Sequence, residues 1–159
     1  MEINVYQPKL LLMLVTKADL YALEEKMDLL TSLLGKIDTN FEDQIKKILD
    51  YISFDALTQD FLKLNLKLNN QADLENYLNL VKQEMQNIKY LKLTLAITPT
   101  RELVEEIYFW AAKNIGTQTL IDLTTDASLI AGGLIEYEGK YKDYSMKSKL
   151  GNYFNANPN

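Results

Sequence analysis

The chain has 159 residues, 47% of them hydrophobic and 25% charged, which is enough for one ordinary domain or two small ones. It contains neither Cys nor His, and this excludes disulfide frameworks and the zinc and nucleophilic sites that need those side chains. A net charge of −5 and a pI near 4.8 argue against a nucleic-acid surface and favour a protein that binds other proteins.

The N-terminal segment has one short apolar run, from Leu10 to Val15. A membrane-spanning helix needs about 20 apolar residues. The segment also lacks the basic start and the small-residue cleavage site of a secretory signal. We therefore expect neither a transmembrane helix nor a secretory leader here; an Arg-rich presequence is also missing, as it would be in an organellar protein from which it has been cleaved.

The first half of the chain predicts successive amphipathic helices. A capping box, Thr16 to Asp19, precedes a stripe of apolar residues at helical spacing that ends at Gly35. A second box, Thr39 to Glu42, opens another helix. Asn69 to Gln71 break the pattern before a last helix that ends near Ile88. Because no Gly- or Pro-rich linker separates these elements, we expect one short-looped bundle.

One helix of this bundle has more apolar width than the others. It is predicted to begin at Ser53, as its cap, and to continue to Leu68. Leu62 and Leu66 add a second apolar edge to its main stripe. Either the helix is buried on nearly all sides, or this edge faces a partner helix. Leu62 and Leu66 are therefore the candidate partner surface of the bundle, and a core position for both is the alternative.

The hydrophobic period changes after the bundle. From Tyr90 to Thr98 apolar and polar residues alternate, which predicts a half-buried strand. Thr98 as N-cap and Pro99 as first residue predict a helix that ends at Gly116. The inner face of that helix is expected to hold Leu103, Val104, Ile107, Trp110 and Ala111.

The C-terminal part predicts further strands and one short helix. Thr119 to Thr124 and Leu129 to Tyr137 read as strands, and a turn at Gly139 leads to a short strand near Tyr141. Ser145 can cap a final helix. The inward residues of that helix are expected to be Met146, Leu150 and Phe154. The fold class is therefore α+β, with a helical bundle over residues 1–88 and a small strand-helix-strand-strand unit with a short C-terminal helix over residues 89–159.

No pattern in the sequence predicts a catalytic or metal site. Gly132-Gly133 lacks the lysine of a P-loop and the spaced glycines of a dinucleotide fingerprint. Glu105 and Glu106 point about 100° apart on a helix and cannot share a proton. Scattered acids such as Asp122 lack the ligand spacing of a calcium loop. We expect no catalytic residue, cofactor or metal; a small ligand-binding or enzyme domain around Gly132 is the alternative.

Lysines gather near the C-terminus. They are Lys140, Lys142, Lys147 and Lys149. Four lysines are too few to indicate nucleic acid in an acidic chain. They predict either a surface for an acidic partner or a solvated face with lysines at a helix end.

The block from Asp126 to Ile135, followed by Asp143 to Leu150, resembles the C-terminal signature of the delta subunit of F-type ATP synthases. The mitochondrial counterpart is the oligomycin-sensitivity-conferring protein. In that family an Asp-x-Ser motif is followed by apolar strand residues and a glycine. An Asp and a Ser then begin a helix, which carries the pattern basic-x-basic-Leu. The matching positions here are Asp126, Ser128, Gly132, Asp143, Ser145 and Leu150, with Lys147 and Lys149 as the basic pair. The likeness extends upstream to about Asp55, and the first half is about one helix shorter than in the family.

The resemblance implies a non-catalytic connector in the peripheral stalk. In the family the bundle binds N-terminal helices of the alpha subunits, the C-terminal region binds the end of the b-subunit stalk, and the connector resists rotor torque. It also implies a place beside an energy-transducing membrane, on its cytoplasmic, matrix or stromal side, without cofactor or nucleic acid. An adaptor unrelated to ATP synthases is a further alternative.

Overall fold

A computed structural model describes residues 6–35 and 41–156, with the side chain of Phe154 outside the description. The chain divides into two compact units. The first comprises Met1–Leu14 and Asp19–Ile88, and the second comprises Val15–Ala18 and Lys89–Asn159. Helices make up the described part of the first unit, whereas the second contains a four-stranded sheet and a C-terminal helix. The predicted α+β class is confirmed.

Five helices precede the sheet in the described part of the chain. They are α1 (Lys9–Leu12), α2 (Lys17–Leu33), α3 (Phe41–Ile48), α4 (Tyr51–Lys63) and α5 (Gln71–Met85). Each of the four longer helices buries residues at three- or four-residue spacing, as in α2 with Leu20, Leu23 and Met27. The rings of Phe61 and Tyr77 lie 5.1 Å apart, between α4 and α5. The predicted capping box at Thr39 lies partly outside the described residues.

Helix α4 differs from its prediction at both ends. Asp50, not Ser53, is the N-cap, and its carboxylate accepts a hydrogen bond of 2.9 Å from the Ser53 backbone N–H. The helix ends at Lys63, because Asn65 takes a left-handed conformation with φ 56°. The Leu66 backbone N–H then donates to the Phe61 carbonyl at 2.8 Å, which closes a Schellman motif. The prediction that this helix continues to Leu68 was wrong.

A buried carboxylate links distant parts of the first unit. Asp60 on α4 is fully buried and accepts hydrogen bonds from the Tyr77 hydroxyl at 2.6 Å and the Tyr6 hydroxyl at 2.5 Å. A third comes from the Lys9 backbone N–H at 2.8 Å, so the carboxylate also caps the start of α1. Burial and the hydrogen bond to Asp60 raise the pKa of Tyr77. Asp60 therefore ties the N-terminal segment to α4 and α5.

The second unit contains four strands. They are β1 (Lys89–Leu95), β2 (Thr119–Thr125), β3 (Gly133–Tyr137) and β4 (Lys140–Asp143), in the sheet order β2-β1-β3-β4. Strands β1 and β2 are parallel and are joined by helix α6 (Arg101–Asn114), whereas the other pairs are antiparallel. A crossover helix is what a parallel pair requires. A 3-10 turn (Ala127–Leu129) follows β2, and helix α7 (Met146–Ala156) follows β4.

Helix α6 covers one face of this sheet. Leu91 and Leu93 of β1 pack with Ile121 of β2 and with Val104 and Ala111 of α6. The opposite face is polar: the Lys92 ammonium lies 2.9 Å from the Glu136 carboxylate, and the Thr94 and Thr124 hydroxyls are 2.9 Å apart. Alternation along β1 thus separates an apolar face from a polar one.

Three predicted boundaries in the second unit were wrong. Thr100 caps α6 through a bond of 3.3 Å from the Leu103 backbone N–H, so Thr98 lies before the helix. Residues 127–129 form the 3-10 turn, and β3 begins only at Gly133 instead of Leu129. The first strand ends at Leu95 rather than Thr98. Apolar periodicity predicts the presence of a helix or strand better than it predicts the terminal residues. The terminal residues depend on where the backbone N–H and carbonyl groups find hydrogen-bond partners.

The outer edge of β2 pairs with a short segment that precedes α2. Thr16 forms a parallel bridge with Ile121, whose backbone N–H donates to the Val15 carbonyl at 3.0 Å. The Lys17 ammonium lies 2.9 Å from the Asp122 carboxylate. These contacts place Val15–Ala18 in the second unit, although helices of the first unit follow it in sequence.

Candidate functional site

The residues Asp126 to Gly133 form a bent connection between β2 and β3. The Asp126 backbone N–H donates to the Leu95 carbonyl at 2.8 Å. Its carboxylate accepts from the Ser128 backbone N–H at 2.9 Å and caps the 3-10 turn. The hydrogen bonds from Ser128 hold the pKa of Asp126 below its usual value. Asp126 and Ser128 therefore shape the backbone of this connection.

At Gly132 the connection approaches the backbone of Tyr144 closely. Its φ is 77°, and a Cβ at this position would lie 2.3 Å from the Tyr144 carbonyl oxygen. The Gly132 carbonyl accepts from the Ala96 backbone N–H at 3.1 Å. A side chain would therefore be strained by the conformation and would collide with backbone. Gly132 thus lets the connection contact the segment that leads into α7.

The start of α7 rests on this connection. The Tyr144 backbone N–H donates to the Gly133 carbonyl at 2.9 Å, and the Met146 backbone N–H donates to the Ala131 carbonyl at 2.8 Å. Asp143 accepts from the Ser145 backbone N–H at 2.8 Å. Hydrogen bonds from the Ser145 side chain and backbone keep the pKa of Asp143 below its usual value. The buried Ser145 Oγ accepts from the Ser148 backbone N–H at 3.2 Å. The structure thus joins Asp126, Gly132, Asp143 and Ser145 in one junction.

Beyond this junction, α7 is largely exposed. Met146 is 40% exposed and Leu150 39%, so the prediction that both point inward was wrong. Phe154, the third predicted inward residue, has its side chain outside the described part. Lys147 and Lys149 are exposed on either side of the Met146–Leu150 line. The junction holds the first turn of α7, and the remaining apolar surface faces solvent.

The two candidate leucines of the bundle differ in position. Leu62 is 76% exposed on α4, whereas Leu66 lies past the end of the helix and is half-buried. Tyr51, eleven residues before Leu62 and about three turns away, lies on the same side of α4 and is 85% exposed. On this side of α4 the exposed large apolar residues are Leu62 and Tyr51, with Asp55 and Thr58 between them, and the structure does not bring Leu66 into this edge.

Helix α6 carries an exposed apolar side that the sequence prediction missed. Trp110 is 57% exposed and Leu103 is 43% exposed, so their predicted place on the inner face was wrong. Val104 and Ala111, one position further along, are buried as predicted. The signal was present in the sequence, since α6 has more apolar residues than one stripe against a sheet can bury.

The described residues offer no metal site and no spanning helix. No three acidic side chains among them are grouped to hold an ion. None of the helices in residues 6–35 and 41–156 combines the length and apolar character needed to cross a membrane. Several ion pairs, such as Lys26 with Asp50 at 2.6 Å, join exposed or half-exposed side chains.

Comparison with known proteins relates the chain to one family. A family model described as the ATP synthase delta (OSCP) subunit matches residues 18–156. The ATP synthase subunit delta of Rickettsia massiliae (strain Mtu5) is 29% identical over 102 residues, which are 62% of this chain and 55% of that protein. The chain thus spans about half the length of this relative.

A solved structure gives a more distant likeness. It is a chain of the Toxoplasma gondii mitochondrial ATP synthase hexamer, determined by cryo-electron microscopy. That chain is 14% identical to this one with a TM-score of 0.37, over 88% of this chain and 77% of that one. The match of the family model over most of the sequence carries the assignment. The chain belongs to the ATP synthase delta (OSCP) subunit family.

Proposed function

We propose that this chain is the non-catalytic connector of an F-type ATP synthase peripheral stalk, linking the alpha subunits of the catalytic head to the b-subunit stalk. The observation that carries the proposal is the family match over residues 18–156. A connector of this kind needs two binding surfaces and no reactive group. It would work at the surface of the energy-transducing membrane, on its cytoplasmic, matrix or stromal side.

The bundle surface proposed for the head is the exposed edge of α4. Leu62 and Tyr51 are both exposed there and lie about three turns apart. An amphipathic helix binds such a surface through apolar anchors at helical spacing. We assign this edge to a helix from the N-terminus of an alpha subunit. Leu66, which is half-buried in the turn after α4, is not part of this proposed surface.

The surface proposed for the stalk is α7. Met146 and Leu150 expose apolar area, and Lys147 and Lys149 are exposed beside them. The junction around Gly132 holds the first turn of α7 in place. A preorganised helix loses less conformational entropy on binding than a free one. We assign this side of α7 to the end of the b-subunit stalk, with acidic residues opposite the lysines.

Two moderate contacts on one chain suit a connector. When the first contact is made, the second becomes intramolecular and benefits from a raised effective concentration. Resistance to torque then requires neither contact to be very strong alone.

Calorimetric titration of the purified chain with an alpha N-terminal peptide and, separately, with a fragment from the C-terminal end of the b stalk tests the proposal. Leu62→Asp should weaken the alpha peptide about tenfold and leave the b fragment unchanged. Lys147→Glu with Lys149→Glu should do the reverse. Leu29→Asp on α2, an exposed leucine of the same unit as Leu62, is the matched control. Circular dichroism verifies that each variant is folded.

Binding of neither partner by the wild-type chain would refute the connector role. Equal weakening of the alpha peptide by Leu62→Asp and Leu29→Asp would refute the α4 surface alone. An unchanged affinity of the double lysine variant for the b fragment would refute the α7 surface alone.

A further inference from the structure

The outward side of α6 combines large apolar residues with exposed acids. We call it the α6 outer face, and it consists of Leu103, Glu106 and Trp110, with Glu102 and Phe109 beside them. Phe109 is 67% exposed, Trp110 57% and Leu103 43%. Neither assigned binding surface of the proposed connector includes these residues.

The residues of the α6 outer face do not form the core between α6 and the sheet. The inner side of α6 is completed by Val104 and Ala111, which are 7% and 0% exposed. Trp110 follows Leu103 by seven residues, so about two turns and about 10 Å separate their Cα atoms along one side. This is the spacing at which the apolar anchors of an amphipathic helix repeat. The α6 outer face thus matches one helix laid along it.

The charge of the face selects the partner. Glu102 and Glu106 are exposed. Glu106 forms no ion pair with any residue that the structure describes. Hydrogen bonds from its own backbone N–H and from the Thr100 side chain, with the Arg101 charge nearby, hold the pKa of Glu102 below its usual value, so that this carboxylate is partly engaged within the helix. Glu105, by contrast, is paired with Arg101 at 2.8 Å on another side of the helix. Lys113 is the exposed basic residue near the other end of α6. Two carboxylates beside an apolar pair favour basic residues in the partner.

We propose that the α6 outer face docks a basic amphipathic helix of a partner protein, with Trp110 and Leu103 as anchors and Glu102 and Glu106 as charge contacts. Tryptophan at the centre of an apolar patch is the residue type that contributes most binding energy per side chain. Its indole N–H also keeps a polar handle at the rim. This docking surface goes beyond the proposed connector function, because it does not depend on the identity of the complex.

The chain contains a single tryptophan, so its fluorescence reports this face without a label. The probe is a synthetic helix of about 18 residues with leucines at helical spacing and lysines elsewhere. A second peptide with the lysines replaced by glutamates is the charge control. We expect a saturable blue shift of Trp110 emission with the lysine peptide, at an affinity at least about tenfold above that for the glutamate peptide.

Matched variants separate specific docking from general attraction to an acidic protein. Leu103→Ser and Glu106→Lys should each weaken the lysine peptide about tenfold. Leu29→Ser and Glu24→Lys make the same two changes at exposed positions of α2 and should leave its affinity within about twofold. Trp110 is retained in all four proteins, so the readout is identical.

Three outcomes would overturn the proposal. The first is an unchanged Trp110 emission with saturating lysine peptide. The second is equal weakening by Glu106→Lys and Glu24→Lys, which would show attraction to net charge only. The third is sedimentation showing dimers that Leu103→Ser dissociates, which would make a second copy the occupant. All these tests use synthetic peptides or the chain alone. A refuted α6 docking surface therefore leaves the connector proposal intact, and a refuted connector proposal leaves the α6 docking surface intact.

Discussion

Replacing Asp60 by Ala should destabilise the first unit through lost hydrogen bonds. The fully buried carboxylate accepts three of them, from the Tyr77 hydroxyl, the Tyr6 hydroxyl and the Lys9 backbone N–H. Three hydrogen bonds to a charged group contribute about 5–9 kcal/mol, and burying the carboxylate costs several kcal/mol of that. The net loss in the free energy of unfolding is therefore expected to be about 2–4 kcal/mol.

Asp60→Asn separates hydrogen bonding from charge. The amide oxygen can take the position of Oδ2 and keep the bonds from Lys9 and Tyr77. The amide N–H₂ then faces the Tyr6 hydroxyl, which can rotate and accept instead of donating. We expect a loss of only about 1 kcal/mol for Asn.

Urea denaturation followed by circular dichroism at 222 nm measures these losses, because the single tryptophan lies in the second unit and does not report on the helices around Asp60. Asp55→Ala, on the same helix at an exposed position, is the control and should change the free energy of unfolding by at most about 0.5 kcal/mol. A loss for Asn as large as that for Ala, or a loss for Ala no larger than the control, would refute the reasoning.

Three further predictions concern glycine, alkaline pH and a helix cap. Gly132→Ala should lower the free energy of unfolding of the second unit, measured in urea, by about 1–3 kcal/mol more than Gly139→Ala does. Both glycines have positive φ, but only at Gly132 would a Cβ collide with backbone, 2.3 Å from the Tyr144 carbonyl oxygen. Burial and Asp60 raise the pKa of Tyr77 above 10.0. The free energy of unfolding should therefore stay constant below pH 10 and fall above it, because there only the unfolded chain loses the tyrosine proton. Tyr77→Phe should make this fall less steep, by up to about 1.4 kcal/mol per pH unit. Asp50→Ala removes the cap of α4 and the partner of Lys26, and should lower the melting temperature by an amount equivalent to about 1 kcal/mol.

Each of these has a contrary outcome. Equal losses for the two glycine variants would mean that conformation alone, and not the close approach to Tyr144, requires glycine. An identical alkaline slope in wild type and Tyr77→Phe would assign the fall in stability to other groups, such as Tyr6, whose pKa is also raised by burial and by Asp60. An unchanged melting temperature for Asp50→Ala would mean that water replaces the cap at no cost.

Several features of this protein were determined by local sequence. Helical periodicity up to about Ile88 and alternation from Tyr90 onward predicted helices followed by a sheet, and the α+β class is confirmed. These signals are local because a helix or strand must place its apolar side chains on one face at its own period. The spacing of Asp126, Gly132 and Ser145 carried the family resemblance in the same way, since turns and caps need particular residues at fixed offsets.

The ends and faces of the elements were decided by tertiary structure. Periodicity allowed Ser53 and Thr98 as caps, but Asp50 and Thr100 occupy those positions. Trp110 fits an apolar stripe as well as its buried neighbours do, and only the width of the sheet beneath α6 decides which side is covered. A sequence pattern gives the direction of a side chain on its own element, whereas burial depends on what another element brings to it.

Asp60 is the clearest case of a property that only the tertiary structure decides. In the sequence it is one of 22 Asp and Glu residues, and both polar and apolar residues surround it along its helix. Its hydrogen-bond donors lie 54, 51 and 17 residues away. A carboxylate can be buried only where such donors converge on it, and no local pattern records that convergence.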